Sequence, residues 1–214
     1  RYLYGEKIDS SSAGYLRTHP KILASITDVD IDATLPVYCI EGLAAAATIT
    51  FDAAPTPTGG EVVKSITHSH MVANQASRIL LVKVSMTDAA AEVITITYAG
   101  VPLTKRRSLS LSTLRAELWY LVAPTIGTAN VVVTFKTIVA GALVASESWY
   151  NVAQAVPFLS GNTATGTSTA PSVTVTSVTG HVVTDCIAAE GNVTATVGAG
   201  QTERYNTILS AALR

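Results

Sequence analysis

The chain has 214 residues, of which 48% are hydrophobic and only 14% are Asp, Glu, Lys or Arg, with a formal net charge of −1. An average soluble domain carries about 25% charged residues, and a phosphate-binding surface needs clustered Lys and Arg, so nucleic acid is excluded as a partner. No apolar stretch approaches the roughly 20 residues of a membrane helix, so no membrane span is expected. Sparse charge leaves Ser, Thr, Ala and Gly to make much of the surface. Together with the high apolar content, this points to a surface partly covered by further copies of the same chain; the alternative is a monomer with a Thr-rich exterior.

Residues 1–20 show no sustained period and contain a Ser-rich turn at Ser10 to Ser12. Tyr2, Tyr4 and Tyr15 are many aromatics for a solvated tail, and docking onto a neighbour or onto the chain's own body is expected of them. That the chain opens on Arg1 fits a removed leader or a shortened product. Residues 21–33 alternate as a strand does: Ile26, Asp28, Asp30 and Asp32 share one face, Val29 and Ile31 the other. The Asp spacing is like the start of a calcium loop, but the sixth position lacks Gly and Cys39 holds the twelfth, which excludes a helix–loop–helix site. A weaker site using Asp28 and Asp30 stays open.

Residues 36–51, with Val37, Ile49 and Phe51, read as one or two further strands. Asp52 to Gly60, DAAPTPTGG, is the strongest punctuation in the sequence and divides an N-terminal arm, 1–60, with one to three strands from a main domain, 61–214. Strands then follow at 62–70, 78–86, 93–98, 114–122, 130–137, 143–152, 172–176, 181–189, 193–197 and 201–206. Between them lie turns such as Ala99-Gly100, and only 71–75 leans toward helix. Lys105-Arg106-Arg107 reads as a solvated loop. This rhythm predicts an all-β protein, an antiparallel β-sandwich of jelly-roll or immunoglobulin-like type with a strand-bearing N-terminal extension.

Little in the sequence points to catalysis. There is no Gly-x-Ser-x-Gly elbow and no phosphate-cradling glycine loop, so neither an enzyme nor a cofactor is expected. His68 and His70 stand at i and i+2 on one strand face, a workable pair of metal ligands without a third. Glu117, Glu147, Asp185 and Glu190 are acids without informative spacing. Trp119-Tyr120 and Trp149-Tyr150 each place one ring inward and one outward, which suits either sugar stacking or a subunit interface. Cys39 and Cys186 permit one disulfide and are equally ordinary as buried thiols in apolar runs. Asn192-Val193-Thr194 is a lone glycosylation sequon.

The runs Ile96-Thr97-Tyr98-Ala99-Gly100-Val101-Pro102-Leu103-Thr104, Glu117-Leu118-Trp119-Tyr120-Leu121-Val122-Ala123-Pro124 and Gly127-Thr128-Ala129-Asn130-Val131-Val132-Val133 carry a resemblance. With Pro171 to Val175 and Asp185 to Ala189, residues 65–206 resemble a β-sandwich domain found in bacterial and archaeal surface proteins and in phage tail or other virion proteins. The resemblance implies a sandwich at an extracellular, cell-surface or virion location, with no settled activity. Such domains usually continue with a long strand past the segment matching Glu203 to Asn206, whereas this chain ends at Arg214. An open edge of that kind needs closing. The N-terminal strands are expected to do so, from the same chain or from a neighbouring copy in a filament. The expected role is a structural subunit assembling through Tyr2, Tyr4, Tyr15, Ile26, Val29, Ile31, Val37, Ile49 and Phe51. The alternative is an adhesion module stacking cell-surface glycans on Trp119, Tyr120, Trp149 and Tyr150.

Overall fold

A computed structural model describes residues 30–31, 37–43, 45–88, 90–166, 172–189 and 195–207. Among them there is no helix. The strands are β1 Asp30–Ile31, β2 Val37–Leu43, β3 Ala45–Ala53, β4 Thr58–Val72, β5 Ile79–Met86, β6 Val93–Tyr98, β7 Val101–Pro102, β8 Thr104–Leu111, β9 Leu114–Val122, β10 Gly127–Val152, β11 Phe158–Thr165, β12 Val182–Ala188 and β13 Ala195–Thr196. Every pairing among them is antiparallel. The all-β class expected from the periodicity is what the chain forms.

β10 organises the larger sheet, whose order is β7-β6-β10-β5-β9-β8. On one edge of this 26-residue strand lies β4, from Gly127↔Val72 to Val144↔Thr58, and beyond it β3, from Ser148↔Ala53. On the other edge lie β6, against Val131 to Phe135, and β5, against Ala142 to Trp149. Between Thr134 and Val139 the register with β4 slips, and extra residues in one strand bend it. The sheet therefore curls on itself, nearly closing into a barrel. β6 and the first half of β10 face β5 and the second half across one core, which includes Tyr98, Phe135, Val82 and Val144.

The alternation divides β10 into two strands, 130–137 and 143–152, with a break at 138–142. The structure keeps it whole because β4 stays hydrogen-bonded to it on both sides of the bend. β4 in turn begins at Thr58, so Thr58-Gly59-Gly60, read as punctuation, is strand; a Cβ on Gly60 would meet Val63 Cγ1 at 2.9 Å. The tight turn at Ala99-Gly100 has φ of 51° and 82°, as a two-residue hairpin joining β6 to β7 requires.

A second sheet, in the order β11-β2-β12, lies on the outer face of β5, β8 and β9. Ile79, Leu81, Leu118 and Trp149 point into this second core, where Ala188, Val182 and Phe158 meet them. β5 is thus covered on both faces, which is why Ile79-Leu80-Leu81-Val82 reads as a continuous apolar run. Residues 172–176, expected as a strand, alternate in burial. They meet β11 through side chains: Ser160 Oγ donates to the Thr176 carbonyl (2.7 Å) and Asn162 Nδ2 to that of Thr174 (3.3 Å).

β8 corrects the loop assigned to Lys105-Arg106-Arg107. It is an edge strand on β9, and Lys105 Nζ lies 2.9 Å from Glu117 Oε2 and 5.1 Å from the Trp119 ring centroid. Charge on an edge strand also discourages unwanted pairing. Two lesser corrections concern residues 201–206, which form no strand, and 71–75, where β4 ends in a turn instead of a helix.

Candidate functional site

The inward face of β4 carries Ile66, His68, His70 and Val72, all buried, so the two histidines do share one face. They reach across the curled sheet to Ser146 and Ser148 in the far half of β10, both fully enclosed. The contacts form one chain: Thr58 Oγ1 to His68 Nδ1 (2.9 Å), His68 Nε2 to Ser146 Oγ (2.8 Å), and Ser146 Oγ to His70 Nδ1 (2.7 Å). It continues from His70 Nε2 to Ser148 Oγ (2.9 Å) and ends where Ser148 Oγ donates to Asp52 Oδ2 (2.7 Å), which also accepts from the Ala73 N–H (3.1 Å).

One direction of donation satisfies every link. Ser148 has a single proton and gives it to the Asp52 carboxylate, so it accepts from His70 Nε2–H. His70 Nδ1 is then an acceptor and takes the Ser146 proton. Ser146 in turn accepts from His68 Nε2–H, and Thr58 donates to His68 Nδ1. Both rings are therefore neutral Nε2–H tautomers.

Burial lowers the pKa of His68. That of His70 is lowered to about 4, by burial first and by its neighbour His68 second, against the opposing pull of Asp52 and Glu147. Chemically the chain can pass a proton from half-buried Thr58 toward Asp52, and mechanically it laces β3 and β4 to β10. Ser146 Oγ, with no exposed surface, holds two imidazoles and is not presented to a substrate.

A second polar cluster joins the two sheets. Lys83 of β5 is buried, and its ammonium donates to Glu147 Oε2 (3.1 Å), Thr184 Oγ1 (2.7 Å) and the Asp185 carbonyl (2.7 Å), the last two on β12. Glu147 Oε1 accepts from Thr184 Oγ1 (2.6 Å) and Trp149 Nε1 (2.9 Å). Burial disfavours both charges, but each stabilises the other strongly enough that the Lys83 pKa is raised and the Glu147 pKa lowered.

Sequence reasoning missed this cluster; the signal that could have found it is Glu-x-Trp-Tyr, which occurs twice, on the strands that flank β5. Glu117 likewise accepts from Trp119 Nε1 (3.2 Å), but it sits opposite Val84, on the other face of the sheet. Both Glu-Trp pairs are thus interior. Trp119 and Trp149 are 6% and 7% exposed, and neither presents its face to a sugar. Tyr120 and Tyr150 are half-buried, with Tyr120 edge-on to Phe158 at 4.8 Å.

The third element is the N-terminal contribution. β2, starting at Val37, lies between β11 and β12, both from the last third of the chain. β3 places Ile49 in the second core, and Phe51 stands edge-on to Trp149 at 5.2 Å, with Arg204 over its ring at 3.7 Å. Asp30 and Ile31 form β1, paired with β13. Tyr2, Tyr4, Tyr15, Ile26, Asp28, Val29 and Asn192 lie outside the described residues. Among the described residues no group of three or more His, Cys, Asp or Glu is placed to hold a metal ion, and no helix is long and apolar enough to cross a membrane.

These features define an antiparallel all-β protein whose first strands are built into sheets made mainly from later ones. No protein-family model, curated protein or solved structure matches the chain.

Proposed function

We propose that this chain is a non-catalytic structural subunit of an extracellular filament or a virion, a β-sandwich that joins copies of itself by strand addition or sheet-edge contact. The observation that carries the reading is the position of β2 between β11 and β12, reached from the body only through β3 and residues 54–57. A β2 from a neighbouring copy would make the same backbone hydrogen bonds, so the closing strand serves equally within a chain and between chains. Residues 54–57, Ala-Pro-Thr-Pro, are a short, stiff joint of the kind at which elements exchange between copies. The low charge fits surfaces that end up covered, and the enclosure of Trp119 and Trp149 favours assembly over glycan stacking.

Size-exclusion chromatography and negative-stain imaging at micromolar concentration test this. Oligomers or fibres are expected, and a population of compact monomers alone would overturn it.

A further inference from the structure

Cys39 and Cys186 are directly opposed residues in the antiparallel register of β2 and β12, between the pairs Ile40↔Asp185 and Tyr38↔Ile187. The chain has only these two cysteines, one from its first quarter and one from its last. Directly opposed residues of antiparallel strands have Cα atoms about 4.5–5.5 Å apart. That spacing lies within the Cα range of roughly 4.4–6.8 Å that a disulfide spans without backbone movement. Cys186 is half-buried at the rim of the second core, and its thiol is free.

We propose that Cys39 and Cys186 form a cross-strand disulfide when the folded chain meets a small-molecule disulfide such as oxidised glutathione. The thiolate of one cysteine attacks a glutathione sulfur, forming a mixed disulfide and releasing one glutathione thiolate. The second cysteine thiolate then attacks the protein-side sulfur, forming the Cys39–Cys186 bond and releasing the second. Two protein thiols lose two protons and two electrons; the electrons leave in the two glutathione thiolates, which take up the protons at neutral pH.

The bond would fasten the middle strand of the three-stranded sheet to β12, and with it the N-terminal strands to the body. It forms whether β2 comes from the same chain or from a neighbouring copy, so it does not depend on the assembly reading.

The test uses the full chain, folded, exposed to oxidised glutathione, quenched by alkylation and mapped by mass spectrometry without reduction. A linked Cys39–Cys186 peptide is expected, in a monomer band if the strand is the chain's own and in a covalent dimer if it is exchanged. Cys39→Ser should instead accumulate a glutathione adduct on Cys186, with circular dichroism confirming its fold. Thermal melting should shift upward by about 5–15 °C on oxidation and return on reduction. Persistent alkylation of both cysteines, a stable glutathione adduct in the wild-type chain, or Cys39–Cys39 or Cys186–Cys186 links would each overturn the proposal.

Discussion

Acidification should weaken the fold through the histidine chain, and His70→Gln isolates its share. The unfolded ring titrates near 6.5, whereas burial, aided by His68, lowers the folded value to about 4. A depressed folded pKa means that the contribution is intact above the unfolded value and is lost as pH falls toward the folded one. With these two values the loss is roughly 2 kcal/mol by pH 5 and about 3 kcal/mol by pH 4, with little further change below. Other carboxylates titrate in the same window, so the useful quantity is the difference between wild type and H70Q.

At pH 7 the variant should be less stable, because it disturbs the partners of Ser146 and Ser148. Between pH 7 and 4 that gap should shrink by about 3 kcal/mol, since only the wild type loses the histidine term. Urea denaturation of both proteins at half-unit pH intervals measures it. A gap that stays constant to within about 0.5 kcal/mol over that range, well below the expected change, would mean that His70 does not titrate as its enclosure requires.

Two further outcomes test the polar clusters. Lys83→Met leaves the Glu147 carboxylate buried without its cation and should cost about 3–5 kcal/mol at pH 7 by denaturant titration, while K83M/E147Q should recover at least half of that. The K83M deficit should narrow as pH falls toward the ordinary carboxylate range, because burial without the cation raises the Glu147 pKa in the folded variant and protonation there removes the stranded charge. Long-range proton–nitrogen spectra at neutral pH should show both His68 and His70 protonated at Nε2, and an Nδ1–H ring in either would break the inferred direction of donation.

Period-two alternation by itself determined the all-β class, the positions of β5, β6 and β9, and the shared face of His68 and His70, because a strand's facing is fixed by residue parity. It could not determine what each face meets. β10 stays whole because β4 remains paired with it on both sides of the slip between Thr134 and Val139, and β8 is a strand because β9 lies beside it, although its Lys and Arg are what a loop also carries. Ser146 and Ser148 had no local signal, since their partners lie across the barrel on β4. The Glu-x-Trp-Tyr repeat was visible, but only the second sheet, laid over β5, turned Glu147 into the partner of a buried Lys83. Likewise the two cysteines were countable in the sequence, and only the pairing of β2 with β12 set them opposite each other. Local pattern specifies which way a side chain points; the partner it finds depends on contacts between residues far apart in the chain, and those exist only once the sheets have formed.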